Sequence, residues 1–274
     1  MTDTGSPLAG VHPTPGSRSV ERVALFAATR WEYAAVRAAF ASGREQVFGG
    51  VRTFVSGVGE REYWLVRTGI GPEKARRVAE QVLSRQAWAA AVSTGFACAL
   101  TSAKVGDLIV GLDVIEDVNG RMQTVKIDRA DAARKRLQAV TSGVPVGVQT
   151  GAVLSINRIA CRASEKAHWA HVSGAVGLDM ESAALAREAQ KARVPFLVAR
   201  TVSDLADEDL PLDFNLFLRP GGWLVGAASV LAAPSRLAGL ARLRRQSRLA
   251  AANLTQVVQA YAGSGTSARS EVSV

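Results

Sequence analysis

The sequence predicts an α/β protein, a three-layer α/β/α sandwich built on a twisted, mixed and mostly parallel sheet. Three observations lead to this fold class. Apolar runs of strand length alternate with segments of helical periodicity along most of the 274 residues. Several of these runs are apolar throughout, which is typical of strands buried on both faces of a parallel sheet. The runs VSGV and YWLVRT flank GEREY and indicate a hairpin, so the sheet is mixed.

The first predicted elements begin at Arg22. RVALFAAT predicts a buried strand, and WEYAAVRAAFA has helical spacing, with Tyr33, Val36 and Phe40 on one side. The hairpin follows, and GIGPEKARRVAEQVLSRQ predicts a glycine-rich turn that leads into a helix. AWAAAVSTGFACAL predicts a second buried strand that ends in a turn of small residues at Gly95–Cys98. KVGDLIVGLDVIE predicts the next strand.

The second half continues the alternation. DRADAARKRLQAV predicts an amphipathic helix, VGVQTGAVLSINRIA a strand and SEKAHWAHVS a helix. GLDMESAALAREAQKARV predicts a turn followed by a helix, and PFLVARTVSD predicts a last buried strand with an acid at its end. After Asp213 the pattern is helical, with a break at Pro220-Gly221-Gly222.

Composition divides the chain into a domain and its flanks. Residues 1–21 are polar and rich in Gly, Pro and Ser, which predicts a disordered arm without the apolar core of a signal peptide. Residues 22–233 are the predicted domain. Residues 234–262 predict a basic helical extension, and residues 263–274 predict a disordered tail.

The charge favours anionic partners. The net charge is +9 and the pI is about 10.2, and much of the excess lies in one C-terminal segment. The arginines of that segment are Arg236, Arg242, Arg244, Arg245 and Arg248. No nucleic-acid-binding motif accompanies them, and aromatic residues are only 6%, so stacking platforms for bases are not expected. We therefore expect no nucleic-acid partner.

Metal, disulfide and triphosphate sites are not expected. The only two cysteines, Cys98 and Cys161, form no disulfide framework or cysteine-type zinc site and indicate a reducing, cytoplasmic location. His168 and His171 are spaced to share a helix face, but no third ligand stands nearby. GIGPEK lacks the lysine and hydroxyl spacing of a phosphate loop. We expect no metal or organic cofactor.

Polar groups stand where ligands bind in open α/β sheets, beyond the carboxyl ends of the strands. The places are Glu32 after the first strand, the Gly95–Cys98 turn, the Asp179–Glu181 segment, and the Ser203–Asp204 pair. Each also has a structural interpretation. Glu32 can be a first-turn acid that complements the helix dipole, Asp179 and Asp204 can be helix caps, and the turn can serve packing alone. Considered one at a time, these residues leave both interpretations open.

The order of these places resembles that of a known superfamily, the purine nucleoside phosphorylases and methylthioadenosine/S-adenosylhomocysteine nucleosidases. The resemblance extends from about Val23 to Phe217. Its motifs are ALFAATRWEY, VRTGIGPEKA, VSTGFACAL, KVGDLIV, GLDMESAALA and VPFLVARTVSDLAD. The last two, in this order, are the most specific.

The resemblance implies cleavage of the N-glycosidic bond of a purine nucleoside, with a role for each matching residue. Met180 is expected against the ribose, and Glu181 is expected to accept hydrogen bonds from its hydroxyls. Asp204, supported by Ser203, matches the acid that serves the imidazole side of the base. Glu32 matches the acid that activates water in the nucleosidases. The remaining substrate-binding matches are Gly95, Phe96, Ile159 and Ala160.

Departures from the family pattern favour hydrolysis over phosphorolysis. Phosphorylases of the hexameric type hold phosphate with arginines and with a serine in the central glycine turn. Here no arginine precedes that turn, Phe96 stands where a hydroxyl is expected, and Arg30 precedes Glu32 with nucleosidase-like spacing. Phe96 and Cys98 reshape the pocket near the nucleophile, which points to an altered substrate or an inactive relative.

The C-terminal part, with DLPLDFNLFLRPGG, resembles the hopanoid-associated branch of this superfamily, which is linked to removal of adenine from adenosylhopane. A basic amphipathic helix can lie on anionic lipid, so peripheral contact with the inner membrane is one expectation. An oligomer interface or a solvated helix is the other. The resemblance also implies a homodimer or higher oligomer. A phosphorylase and a non-catalytic nucleoside- or nucleic-acid-binding relative are the alternatives to a nucleosidase.

Overall fold

The computed structural model describes residues 20–128, 130–218 and 235–264. The strands are β1 (Glu21–Ala27), β2 (Arg44–Phe48), β3 (Val51–Val58), β4 (Arg61–Arg67), β5 (Ala90–Ala99), β6 (Leu108–Val118), β7 (Arg121–Val125), β8 (Val148–Ser155), β9 (Gly177–Asp179) and β10 (Phe196–Asp204). The α-helices are α1 (Arg30–Ala38), α2 (Pro72–Leu83), α3 (Asp131–Thr141), α4 (Ala163–Ser173), α5 (Ser182–Lys191) and α6 (Ser235–Gly263). A 3-10 helix spans Phe214–Leu218.

The strands form one mixed sheet in the order β10-β6-β8-β9-β5-β1-β4-β3-β2, and β7 pairs with β6. The pairings β4–β1, β1–β5 and β5–β10 are parallel, so their carboxyl ends meet at one edge. Because β10 pairs with both β5 and β6, the strands β10, β6, β8, β9 and β5 close into a ring. This closure draws β9 and β10 together at the same end of the sheet.

Helices cover both faces of the sheet, which confirms the predicted α/β/α class. On one face, α2 and α5 bury alanines and aliphatic side chains against the central strands. On the other face, α1, α3 and α6 bury Val36, Leu137 and Leu254. α4 packs over β8 and β9 through Trp169. Both faces of β1, β5 and β10 are therefore buried, in agreement with their apolar sequences.

The structure corrects the predicted turn at Gly95–Cys98. β5 continues through these residues to Ala99, and Gly95 is a kink within the strand with a φ of 133°. Three strands were not predicted. β2 (REQVF) and β7 (RMQTV) are polar and largely exposed, and β9 has only three residues. None of these three carries the apolar run that identifies a buried strand.

The C-terminal helix α6 has two unlike halves. Arg242, Arg244, Arg245 and Arg248 are exposed in its first half. Its second half is largely buried against α1, α3 and β10, with Ala250, Leu254, Val257, Val258, Tyr261 and Ala262 in the core. The predicted extension 234–262 is therefore partly a structural layer of the domain.

Three of the sequence predictions concern the two ends of the chain and the segment before α6. Residues 1–19 of the predicted arm, the break at residues 220–222 and most of the predicted tail lie outside the described residues. Among the helices of the described part, none is both long and apolar enough to cross a membrane.

Candidate functional site

A cavity of about 200 Å³ lies at the carboxyl ends of β1, β5 and β10 and at the start of α5. Residues from positions as distant as Ala28 and Asp204 line it. Those predicted as site residues are Glu32, Phe96, Ile159, Ala160, Met180, Glu181, Ser203 and Asp204. Gly95 is the exception, because it stands behind Glu32 rather than in the wall. The topology therefore brings the predicted residues together.

Glu32 caps helix α1 and also lines the cavity. It forms a capping box at the start of α1, where Oε2 accepts the Thr29 N–H at 2.6 Å and the Glu32 N–H donates to the Thr29 hydroxyl at 3.2 Å. Its other oxygen, Oε1, accepts the Phe96 N–H at 2.7 Å. Glu32 is only 3% exposed. The helix-cap interpretation and the site interpretation are thus compatible, because the cap fixes the carboxylate at the cavity.

Gly95 makes room for that carboxylate. A Cβ at residue 95 would lie 2.2 Å from Glu32 Oε1 and 2.6 Å from Glu32 Cδ. The φ of 133° also disfavours any residue with a side chain. Gly95 therefore acts on the position of Glu32.

Replacing Gly95 by alanine is expected to lower the free energy of unfolding by roughly 2–4 kcal/mol, from the positive φ and from overpacking. Urea denaturation measures this loss. Gly57→Ala is the control, since a Cβ there meets nothing within 4 Å. Equal stability of the two variants would show that the close approach at Glu32 is not structurally important.

Glu181 is buried at the floor of the cavity. Its Oε1 accepts the Gly71 N–H at 2.8 Å, and its Oε2 lies 3.5 Å from Arg200 Nη2. Burial raises the pKa of the Glu181 carboxyl to about 7. Arg200 opposes this rise in pKa, whereas the neighbouring carboxylates Asp179 and Glu32 add to it. The charged and neutral forms of the Glu181 carboxyl are therefore close in free energy near neutral pH.

Arg200 is the centre of the charged cluster. Its side chain is 1% exposed and pairs with Asp179 at 2.7 Å, Glu181 at 3.5 Å and Glu32 at 3.7 Å. The Nε contact with Asp179 is an ion pair without hydrogen-bond alignment. Nη1 donates to the Phe96 carbonyl at 2.9 Å, and Nη2 donates to the Ser93 hydroxyl at 2.9 Å. One guanidinium thus fixes three carboxylates around the cavity.

Asp179 is anchored more fully than Glu181. Its Oδ1 accepts the Ser155 hydroxyl at 2.5 Å and the Ser182 N–H at 3.2 Å, and its Oδ2 accepts the Ser182 hydroxyl. With Arg200 added, the Asp179 carboxylate is almost fully engaged by the protein. Through these contacts Asp179, at the end of β9, connects β8 with α5, so its role is structural.

Asp204 stands at the end of β10 and is the fourth carboxyl group that lines the cavity. Its Oδ1 accepts the Ser203 hydroxyl at 2.9 Å, and its Oδ2 lies 2.8 Å from Lys166 Nζ. The side chain of Asp204 remains 13% exposed, whereas that of Lys166 is fully buried. The Asp204 carboxyl group is therefore partly accessible to a ligand in the cavity, while Lys166 pairs with it from the protein interior.

Ile159 and Ala160 lie in a loop that lines the cavity. The Asn215 side chain holds this loop by accepting the Ile159 N–H at 2.8 Å and donating to the Ile159 carbonyl at 2.9 Å. Met180 adds an apolar surface beside Glu181 and is 9% exposed. These three residues form an apolar part of the cavity lining.

Sequence reasoning missed three contributors. Arg200 was visible as a lone charge in the apolar run FLVARTV, where a buried charge requires partners. Lys166 had no such signal, because it stands in a mixed polar helix. Gly71 donates to a residue 110 positions away, and only the fold brings the two together.

Comparison with known protein families and curated proteins finds related sequences. The profile described as "Phosphorylase superfamily" matches residues 22–220. A 5'-methylthioadenosine/S-adenosylhomocysteine nucleosidase from Shewanella denitrificans is 25% identical over 216 residues, which are 73% of this chain and 94% of that protein.

Solved structures share the fold. The 5'-methylthioadenosine/S-adenosylhomocysteine nucleosidase from Neisseria meningitidis, in complex with methylthio-immucillin-A, has a TM-score of 0.69 and 20% identity, with 89% of this chain and 99% of that chain covered. A mutant of futalosine hydrolase of Helicobacter pylori has a TM-score of 0.65 and 17% identity, with 87% of this chain and 99% of that chain covered. At these identities the likeness concerns the fold.

Proposed function

We propose, from the premise that this chain belongs to the phosphorylase superfamily, that it hydrolyses the N-glycosidic bond of a purine nucleoside and releases the free base. The observation that carries the proposal is the cavity that Glu32, Glu181 and Asp204 share. Cleavage of this bond places positive charge on the sugar and negative charge on the base. A site for the reaction needs anionic groups beside the sugar and an acid beside the base.

Glu181 is the carboxylate for the sugar. It is buried beside Met180, and it is held by a single N–H bond and by Arg200 at the longer distance of 3.5 Å. Its oxygens therefore keep acceptor capacity for the two ribose hydroxyls. In this poorly solvated place its negative charge acts strongly on positive charge that develops at the sugar.

Water is the nucleophile that the charges favour. Four carboxylates line the cavity, those of Glu32, Asp179, Glu181 and Asp204. Among the described lining residues, Arg158 is the only cation, and its guanidinium pairs with Glu165 at 2.7 Å. Arg30 is exposed and is not part of the wall. Arg200 and Lys166 neutralise part of this charge from behind the wall, but the described lining offers phosphate no unpaired cation. A neutral water can instead donate a hydrogen bond to Glu32 and lose a proton to it.

The base is expected against Asp204, Ile159 and Ala160. Asp204 is the lining acid at the end of β10, and the Ser203 hydroxyl donates to its Oδ1. An acid at this position transfers a proton to the imidazole side of the purine, which converts a poor anionic leaving group into a neutral one. Asp204 and Glu32 thus perform the acid and base halves of one hydrolysis.

The substrate class that we propose is an adenosyl compound of the methylthioadenosine or adenosylhomocysteine type. The curated relatives are named for these two substrates. Adenosylhopane is the lipid-bearing member of the class. Helix α6 exposes four arginines together with Leu237 and Leu249, which are 56% and 49% exposed, and this surface suits anionic lipid.

A homodimer is part of the proposal. Trp31 and Ile70 are 53% and 39% exposed, and Ile70 also lines the cavity. An exposed apolar side chain in the lining of a cavity, with another next to the lining residue Glu32 in the sequence, is typical of a surface that a second subunit covers.

Adenine release from methylthioadenosine, adenosylhomocysteine and adenosine, followed in phosphate-free buffer, tests the proposed function. We expect turnover of at least one compound without phosphate, and a loss of about 10²-fold or more in Glu32→Gln, since the nucleophile then lacks its base. Glu45→Gln, on the exposed strand β2, is the matched control and is expected to keep the wild-type rate. Release that requires phosphate would contradict hydrolysis, and release from none of the three would contradict the proposed substrate class.

A further inference from the structure

A fully buried lysine lies directly behind Asp204. Lys166 stands on α4, and its side chain has 0% exposure. Its ammonium meets three acceptors, namely Asp204 Oδ2 at 2.8 Å, the Leu205 carbonyl at 2.8 Å and the Glu208 carbonyl at 2.9 Å. Lysine is almost never buried to this extent unless it is paired, so this position has a specific task.

The charge state of the pair follows from its surroundings. Burial by itself lowers the pKa of Lys166, but the nearby charges, chiefly that of Asp204, raise it above its usual value. Cys98 is the other titratable group beside the pair, and burial raises the pKa of its thiol well above the usual range. Glu208, on the same loop as Leu205, also raises the pKa of Lys166, but to a smaller extent. In the resting site the pair is thus an ammonium and a carboxylate, with a neutral thiol next to them.

This arrangement creates a difficulty for Asp204 as an acid. A carboxylate paired with an ammonium carries no proton of its own to give to a departing base. Three side-chain donors lie around it, the Ser203 hydroxyl, the Lys166 ammonium and the Cys98 thiol. The hydroxyl is a far weaker acid than the ammonium, and burial raises the pKa of the Cys98 thiol well above its usual range, which leaves the ammonium as the proton source.

We propose that Lys166 is a positioning residue that holds Asp204 and supplies, through it, the proton that the departing purine takes up. The inference rests on the proposed function. It goes beyond that function in assigning the origin of the proton to a residue that does not touch the substrate.

The transfers balance as follows. The C1′–N bond breaks and its electron pair stays on the purine, which takes a proton from Asp204 at the imidazole-side nitrogen. Asp204 takes a proton from Lys166 Nζ, which becomes a neutral amine. Water adds its oxygen to C1′ and loses a proton to Glu32. Glu32 then returns a proton to solvent, and Lys166 regains one, so one water is consumed in total.

Desolvation assists the transfer within the pair. In water the ammonium and carboxylate are more stable than the neutral amine and acid. In a dry site much of this difference in free energy is lost, because each buried charge carries a large solvation cost. A bound base would cover the exposed part of Asp204 and remove its remaining contact with water. The neutral pair, with a proton on Asp204, then becomes accessible at the moment when the base requires it.

The test compares substrates whose leaving bases differ in their need for a proton. Adenosine or methylthioadenosine has the basic leaving group adenine, whereas 6-chloropurine riboside releases a more stable anion. In Lys166→Met we expect kcat to fall about 10²-fold or more on the adenine substrate, the usual contribution of general acid catalysis, and less than about tenfold on the chloropurine. Lys166→Arg keeps a cation beside Asp204 but cannot release a proton, so the same selective loss is expected.

Two results would overturn the inference. Equal losses on both substrates would assign Lys166 a structural role alone, and a wild-type rate of Lys166→Arg on the adenine substrate would show that only its charge matters. Thermal melting of each variant checks its fold. Wild-type protein that releases neither base contradicts the proposed function instead, so the two failures are distinct.

Discussion

Replacing Glu181 by glutamine is expected to lower kcat by about 10²–10³-fold while the protein stays folded. The amide oxygen can still accept the Gly71 N–H, so the contact that joins α5 to the start of α2 survives. The negative charge beside the sugar is lost, and with it the stabilisation of positive charge at C1′. Adenine release measures the rate, and circular dichroism verifies the fold.

The pH profile gives a second measurement on the same variant. Because burial raises the pKa of Glu181 to about 7, kcat/KM of the wild type should fall as the pH decreases through that value and the carboxylate becomes protonated. This acid limb should be absent in Glu181→Gln. Glu188→Gln is the matched control, since Glu188 is also buried on α5 but pairs with Lys191 at 2.7 Å, outside the lining of the cavity. A Glu181→Gln enzyme with near-wild-type turnover would remove this carboxylate from the site.

Replacing Arg200 by methionine is expected to lower the free energy of unfolding by about 3–5 kcal/mol, because it leaves buried carboxylates without their cation. Asp179, Glu181 and Glu32 all lie within 4 Å of this guanidinium, and its side chain is 1% exposed. Urea denaturation at neutral pH measures the loss. Turnover should fall as well, since the same group positions Glu32 and Glu181.

The partner variants distinguish lost charge pairing from lost packing. Asp179→Asn in the Arg200→Met background should recover part of the lost stability, because one stranded charge is removed. Arg187→Met is the control, since that arginine is 42% exposed and its pair with Glu116 should contribute at most about 1 kcal/mol. If Arg200→Met is no less stable than Arg187→Met, the cluster is not held by this ion pairing.

Much of the fold was predictable because the central strands can be recognised from their own apolar sequences. β1, β5 and β10 are largely apolar, and both faces of each are buried over most of its length. β2 and β7 are polar, so their strand state depends on neighbours rather than on pattern. Closure of the ring through β10 depends on pairings between distant segments, and local periodicity contains no information on these pairings.

The site was predictable to the extent that its residues follow strands. Glu32 and Asp204 end up in one cavity because parallel strands bring their carboxyl ends together. The kink at Gly95 was mistaken for a turn, since small residues accompany both. Lys166 reaches the site from the body of a helix, and its partner Asp204 is distant in the sequence. Such a contact is defined by packing alone.

The central claim is that this cavity directs water, and not phosphate, to C1′ of a purine nucleoside. The most direct measurement is the reaction in water enriched in ¹⁸O, with inorganic phosphate present, followed by mass spectrometry of the sugar product. A lining whose described residues offer phosphate no unpaired cation predicts a free sugar with one ¹⁸O at C1, formed at a rate independent of phosphate. A sugar 1-phosphate without the label would contradict the account.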